Sequence, residues 1–224
     1  MATAPKNKES LSSDGRDGDR KPKVTRRPRR PAEETREDIL NTAEDLFCKK
    51  GYSNVAIADI AIALGMSPAN VFKHFHSKAS LVDAISARHI EKMIGRLARP
   101  DKGKQPPERL LHLVEQLMNS HLHDLKQSPF VFEMVLLTAD QELECGHRYR
   151  EMLVSDIAEI IEDGVAQGIY HVTNSRRAAE TAAMALACVL HPVMIANEKS
   201  DILATRCQEV VALINAALQN QLVK

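Results

Sequence analysis

Along most of the chain, apolar residues return every three or four positions, the spacing of one helix face. Ile39, Leu40, Ala43, Leu46 and Phe47 make one such stripe. Glu33, Glu34, Glu37 and Asp38 lead into it and Lys49 and Lys50 close it, which complements the helix macrodipole. Gly51 then ends the helix. A second short helix is expected over residues 55–64, with Ile57, Ile60, Ala61 and Leu64 inward and Asn54 as its N-cap. Ser67 suits a cap and Pro68 a first helical position, so a third helix is expected to run as far as Phe75. A fourth begins near Lys78 and carries Leu81, Ile85, Met93 and Leu97. After a break at 99–107, further helices are expected at 107–127, 129–140, 143–167, 174–196 and 200–221. No stretch alternates with period two, and no Asn-Gly or Asp-Gly turn separates β-branched runs. The expected fold class is all-α.

Charge divides this pattern into parts. The 224 residues sum to zero, but residues 1–31 hold ten Lys/Arg against four Asp/Glu, so +6, and the remainder is −6. The basic stretch culminates in Arg26, Arg27, Arg29 and Arg30, broken by proline. It carries too few apolar residues to offset the entropy of ordering, so 1–31 reads as a disordered arm attracted to polyanions. The four cysteines are far apart with no C-x-x-C pair, which speaks against a disulfide scaffold or a zinc site. No apolar signal core follows the N-terminus, and the longest apolar run falls well short of the ~20 residues that span a bilayer. These features predict a cytoplasmic protein with no membrane partner.

Three residues in the expected second and third helices fit together. Ala61 is small where two helices approach, Gly65 supplies a tight turn four residues later, and Val71 returns an apolar anchor. That arrangement describes a helix-turn-helix, whose second helix enters the DNA major groove. With Val71, Phe72 and Phe75 available for packing, Pro68, Ala69, Asn70, Lys73 and His74 are left outward or at the edge. Asn can pair bidentately with adenine, and Lys reaches guanine or a phosphate. Lys78, beside the backbone at the start of the fourth helix, would fix register.

The stretch ILNTAEDLFCKKGYSNVAIADIAIALGMSPANVFKHFHSKASLVDAI at 39–85 resembles the DNA-binding domain of the TetR family of bacterial repressors. Its TAEDLF, IADIA, SPANVFKHF and LVDAI segments further resemble AmeR-type regulators of multidrug efflux operons. The resemblance implies three parts: the basic arm 1–31, a three-helix DNA-binding domain at 32–79, and a larger ligand-binding and dimerisation domain at 80–224. It implies operator contacts by Asn70, Lys73, His74 and Lys78, with the arm arginines supplementing them. The family often has Thr or Ser where this chain has Val55 and Ala56, so a phosphate contact there falls to Asn54, Ser53 or backbone amides. It commonly has Tyr where Phe72 stands, so that hydroxyl contact is lost. Ser67 and Phe72 complete the expected DNA-facing set.

The body beyond residue 80 is larger than a mount for the reading head requires. Residues 178–189 are apolar on nearly every side, which predicts burial on every side. In the last helix Leu203, Val210 and Ala217 recur seven apart, interleaved with Ile214, a seam suited to packing helix on helix. Together with Ala182, Leu186 and Val189 this is the expected dimer seam, since similar repressors pair through two such helices. A homodimer would set two reading helices ~34–36 Å apart on a pseudo-palindromic double-stranded operator. The resemblance also implies a cavity for a small hydrophobic or aromatic inducer, for which Met93, Met118, Phe130, Phe132, Met134, Tyr149, Met152 and Met184 are the expected lining. The histidines lie at no metal-ligand spacing, and no P-loop, G-x-S-x-G or dinucleotide motif occurs. Neither an enzyme nor a cofactor is expected. The competing readings are a helical ligand-binding protein without specific DNA readout and a nonspecific DNA-binding protein driven by the arm.

Overall fold

A computed structural model describes residues 31–97, 102–137 and 143–220, giving only the backbone of Phe132 and residues 135–137. Arg26, Arg27, Arg29 and Arg30 lie outside the described residues. Helix α1 (Ala32–Lys50) turns Ile39, Leu40, Ala43 and Phe47 inward. Gly51, at φ +80°, stops it and leads into a single 3-10 turn at Tyr52–Asn54. Helix α2 (Ile57–Ala63) starts later than the sequence suggested. Its N-cap is Ala56, whose N–H donates to the Asp59 carboxylate at 2.7 Å. Asn54 instead donates its side-chain amide back to the Lys50 carbonyl at 2.9 Å, and the extended, buried Val55 that follows separates it from α2. Asn54 therefore seals the end of α1 rather than opening α2.

Helix α3 (Pro68–His74) begins as expected, with Ser67 Oγ accepting from the Asn70 N–H at 3.3 Å. Helix α4 (Lys78–Ile94) opens on a reciprocal cap. Ser77 Oγ accepts from the Ser80 N–H and Ser80 Oγ from the Ser77 N–H, at 3.0 and 3.2 Å. The body holds α5 (Pro106–Gln127), α6 (Pro129–Leu137), α7 (Glu144–Ala166), α8 (Ser175–Ala185), α9 (Ala187–Leu190), α10 (Pro192–Ala196) and α11 (Ser200–Gln219).

The helix expected over 174–196 is thus three. Pro192 has no N–H to continue a ladder and drives the preceding His191 into extended backbone (φ −75°, ψ 130°), which ends α9. Nor is 178–189 buried on all sides. Ala178, Ala179, Ala182, Leu186 and Val189 face the core, while Met184 is 79% exposed. Overall hydrophobicity says that a helix needs cover, but not that one protomer supplies all of it.

The helices form one compact unit with two hydrophobic cores. One gathers α1–α3 with Leu81, Val82 and Ile85 of α4. The other packs α5, α7, α8 and α11 around Leu117, Ile157, Ala179 and Leu203, and takes Met93 from the far end of α4. Core membership therefore does not divide at residue 80: α4 is one rod with an end in each core. Helix α6 crosses as well, since its Val131 and Met134 pack into the head core. Each large side chain so buried contributes about 1.5–3 kcal/mol of hydrophobic stabilisation. Within the described residues no helix is long and apolar enough to cross a membrane.

Candidate nucleic-acid interface

Helices α2 and α3 meet around Ala61 and Val71, neither of which exposes any surface. A larger residue at 61 would have to displace α3, since the interior is close-packed. Between them Gly65 takes φ +63°, a conformation costly to residues with a Cβ. Val71 and Phe75 turn α3 onto the core, and the Arg36 guanidinium lies 4.9 Å over the Phe75 ring from the outside. Pro68, Ala69, Phe72 and Lys73 are left exposed, and Asn70 and His74 half-buried. Of the two roles open to Phe72, packing inward and facing DNA, the inward one is excluded: 45% of it is exposed, because Val71 and Phe75 already fill the inner face. Asn70 sits at the edge and donates its amide to Met66 Sδ at 3.6 Å.

Lys78 differs from the expected exposed phosphate ligand. Its ammonium lies 3.9 Å over the Tyr52 ring and 5.7 Å over Phe47, and donates to the Tyr52 carbonyl. Desolvation pulls its pKa below the ordinary lysine value. It is engaged as a clasp between α4 and the turn after α1. A second brace joins α1 to α4. Arg88 donates to Asn41 Oδ1 at 2.7 Å and to Glu44, and His89 Nε2 lies 2.8 Å from the other oxygen of Glu44. The His89 hydrogen bond, more than the Arg88 charge, holds the Glu44 carboxyl below its usual range. Sequence periodicity does not reveal such braces, because their partners lie more than twenty residues apart.

In the body the expected ligand-lining residues separate into three groups. Met93 and Met118 are buried in the body core, with Tyr149 packed against it and Met152 half-buried. Phe130 and Met134 belong to the head core instead, and His89 meets the Phe130 ring edge-on at 6.5 Å. Met184 lines nothing internal, being on the outer side of α8. The side chain of Phe132 lies outside what is described. Beside this core the buried His121 ring meets the Tyr149 hydroxyl at 2.9 Å. Burial drives the His121 pKa down to about 4, so this imidazole is neutral at pH 7.

The expected dimer seam is also corrected. Ala182, Leu186, Val189, Leu203 and Ile214 are buried in the protomer's own core, and Val210 and Ala217 are half-buried. The inward stripe of α11 is Leu203, Cys207, Val211, Ile214 and Leu218, at steps of three and four. The outward apolar residues are Ile202, Leu213 (70% exposed), Met184 and Met194. A heptad spacing specifies a stripe but not which neighbour it faces, and α5 and α8 of the same chain claim this one.

Comparison with known proteins agrees with this two-part arrangement. The family model described as bacterial regulatory proteins of the tetR family matches residues 39–85, and that of the tetracyclin repressor-like C-terminal domain matches 106–211. The HTH-type transcriptional regulator TtgR of Pseudomonas putida is 30% identical over 105 residues, 46% of this chain and 50% of that protein. The regulator AcrR of Shigella flexneri is 28% identical over 139 residues, 56% and 64% of the two chains. The chain spans about half the length of the first curated relatives it matches. Among solved structures, the flavonoid-responsive regulator FrrA superposes with TM-score 0.60 at 17% identity, covering 84% of this chain and 98% of that one, a likeness of fold. Head and body each match their counterpart model in the same order along the chain, and the chain belongs to the TetR family of transcriptional regulators.

Proposed function

We propose that this chain is a dimeric repressor that binds a pseudo-palindromic operator through α3 and is released by a small hydrophobic ligand. The observation that carries the reading is the α2–α3 pair. It is locked by Ala61, Gly65 and Val71 and leaves the Pro68–His74 rod with an open face of Ala69, Phe72 and Lys73. A short rod offered by a rigid head is what major-groove reading needs. Asn70, His74 and the arm arginines are the further DNA contacts in this reading, and Ser67 serves it by capping the rod.

The dimer forms through the outer side of α8 and α11, with Met184, Leu213 and Ile202 as apolar anchors. An inducer enters the body among α4, α5 and α7, beside Met93, Met118, Tyr149 and Met152. For the ligand to release DNA it must bind the DNA-incompetent form more tightly, so that occupancy shifts the population. Helix α4, with one end in each core, is the mechanical link, and aromatic compounds are the ligand class, as for the flavonoid-responsive FrrA. Control of an efflux-pump operon is the finest part of the proposal and rests on the resemblance of 39–85.

The test is selection from a random duplex library, then footprinting upstream of the protein's own coding region with and without efflux substrates. Specific protection relieved by an apolar compound supports the proposal. A folded dimer that prefers no duplex, or that loses affinity for all DNA alike as salt rises, overturns it in favour of a nonspecific binder or a ligand-binding protein.

A further inference from the structure

The outer face of α3 is apolar at its centre. Phe72 leaves 45% of its surface in solvent, with Pro68 and Ala69 one turn before it on the same side and Lys73 next to it. The polar residue best able to read a base, Asn70, stands at the edge, half-buried and with its amide turned back to Met66 Sδ. A phenylalanine ring neither donates to nor accepts from a base edge. The apolar group that the major groove displays is the C5-methyl of thymine, and Ala and Phe are side chains that meet it. From this geometry we infer that Phe72 is a specificity-determining residue that reads a thymine methyl in each operator half-site, with Ala69 closing the contact. The inference rests on the repressor reading above and assigns to the recognition helix the chemistry of its base.

Two consequences follow from the physics. Methyl burial is non-directional, so discrimination depends on apolar volume at residue 72 and not on a hydroxyl. Lys73, four residues beyond Ala69, is free to supply phosphate attraction without base identity.

The experiment uses the full-length protein and the duplex obtained by selection, with each thymine replaced in turn by deoxyuridine, which removes the methyl and nothing else. The expected result is one thymine per half-site at which the exchange weakens binding about fourfold, the worth of one buried methyl. Phe72→Ala binds the thymine and deoxyuridine duplexes equally, whereas Phe72→Leu and Phe72→Tyr keep the difference. Because Phe72 is not core, circular dichroism of Phe72→Ala should match the unsubstituted protein. Equal binding of all deoxyuridine duplexes by the unsubstituted protein overturns the inference while leaving the repressor reading intact. A methyl effect that persists in Phe72→Ala overturns it too. Failure of the selection to enrich any sequence overturns both.

Discussion

The head and the body are built from the same kind of helix but differ in how deeply they bury ionisable groups. In the head the Glu44–Arg88–His89 brace and the Lys78 clasp sit at the rim of the core, partly in solvent. The body has surface pairs too, such as Arg176 with Glu151, but it also holds ionisable groups much deeper. Arg109 leaves only 5% of its surface exposed and pairs with Asp163 at 2.5 Å, and His121 is enclosed with Tyr149. Tyr170, buried against Gly164, donates to Asn215 Oδ1 at 2.6 Å. Rim braces are inexpensive and fix the angle between α1 and α4, whereas a buried polar group is costly the moment its partner leaves. The head thus has the character of a rigid tool, and the body that of a structure whose packing can be disturbed from inside.

The sharpest test of this contrast lies on the outer side of the body. Leu213→Glu should leave the protomer folded, since the residue is exposed there, but raise the dimer dissociation constant at least about a hundredfold by placing a charge in an apolar contact. Analytical ultracentrifugation reads this directly, and an unchanged sedimentation profile would move the interface elsewhere.

Next in size is Gly164→Ala. An added Cβ would stand 2.1 Å from the Tyr170 ring, and that ring is held on its far side by Asn215. A loss of about 3 kcal/mol in denaturant unfolding is expected. With two separate cores, the head amides should keep their hydrogen-exchange protection even after the body opens.

A third effect depends on pH. His121 is held at about 4 when folded against about 6.5 in an unfolded chain, so between these values only the unfolded chain takes up the proton. Stability is therefore unaffected above about pH 6.5 and falls as the solution is acidified, by about 2 kcal/mol at pH 5. His121→Phe should remove that slope, as seen in melts from pH 7 to pH 5, even if it lowers stability at pH 7.

The smallest effect distinguishes the two lysines of the head. Lys73→Gln should reduce the slope of log K against log salt by about 0.9, the signature of one lost phosphate contact. Lys78→Gln should leave the slope as it was and cost about 1 kcal/mol of folding stability, as a clasp would. Equal changes in slope would return Lys78 to the phosphates.

Much of the head was readable from one dimension because its logic is local. Ala61, Gly65, Ser67 and Val71 lie within eleven residues, and each has a conformational reason to be where it is. Phe72 was open to both an inward and a DNA-facing role, because spacing alone permits three apolar residues on a short helix to share an inner face. Only the arrangement of α1, α2 and α4 shows that two are enough. In the body the helices were legible to within a few residues, except where Pro192 breaks the α8–α10 run.

Periodic and short-range features were legible in one dimension: an all-helical chain, the cap and turn residues of the head, and a basic N-terminal stretch. Facing came from the packed fold. It turned Leu203 and Ile214 inward and Met184 and Leu213 outward, put Met134 in the head core, and closed Lys78 over Tyr52. The reason is physical. A helical stripe announces that it must be buried, at a gain proportional to area, but the hydrophobic effect is indifferent to which surface does the burying. That choice is made by the packing of all the helices at once.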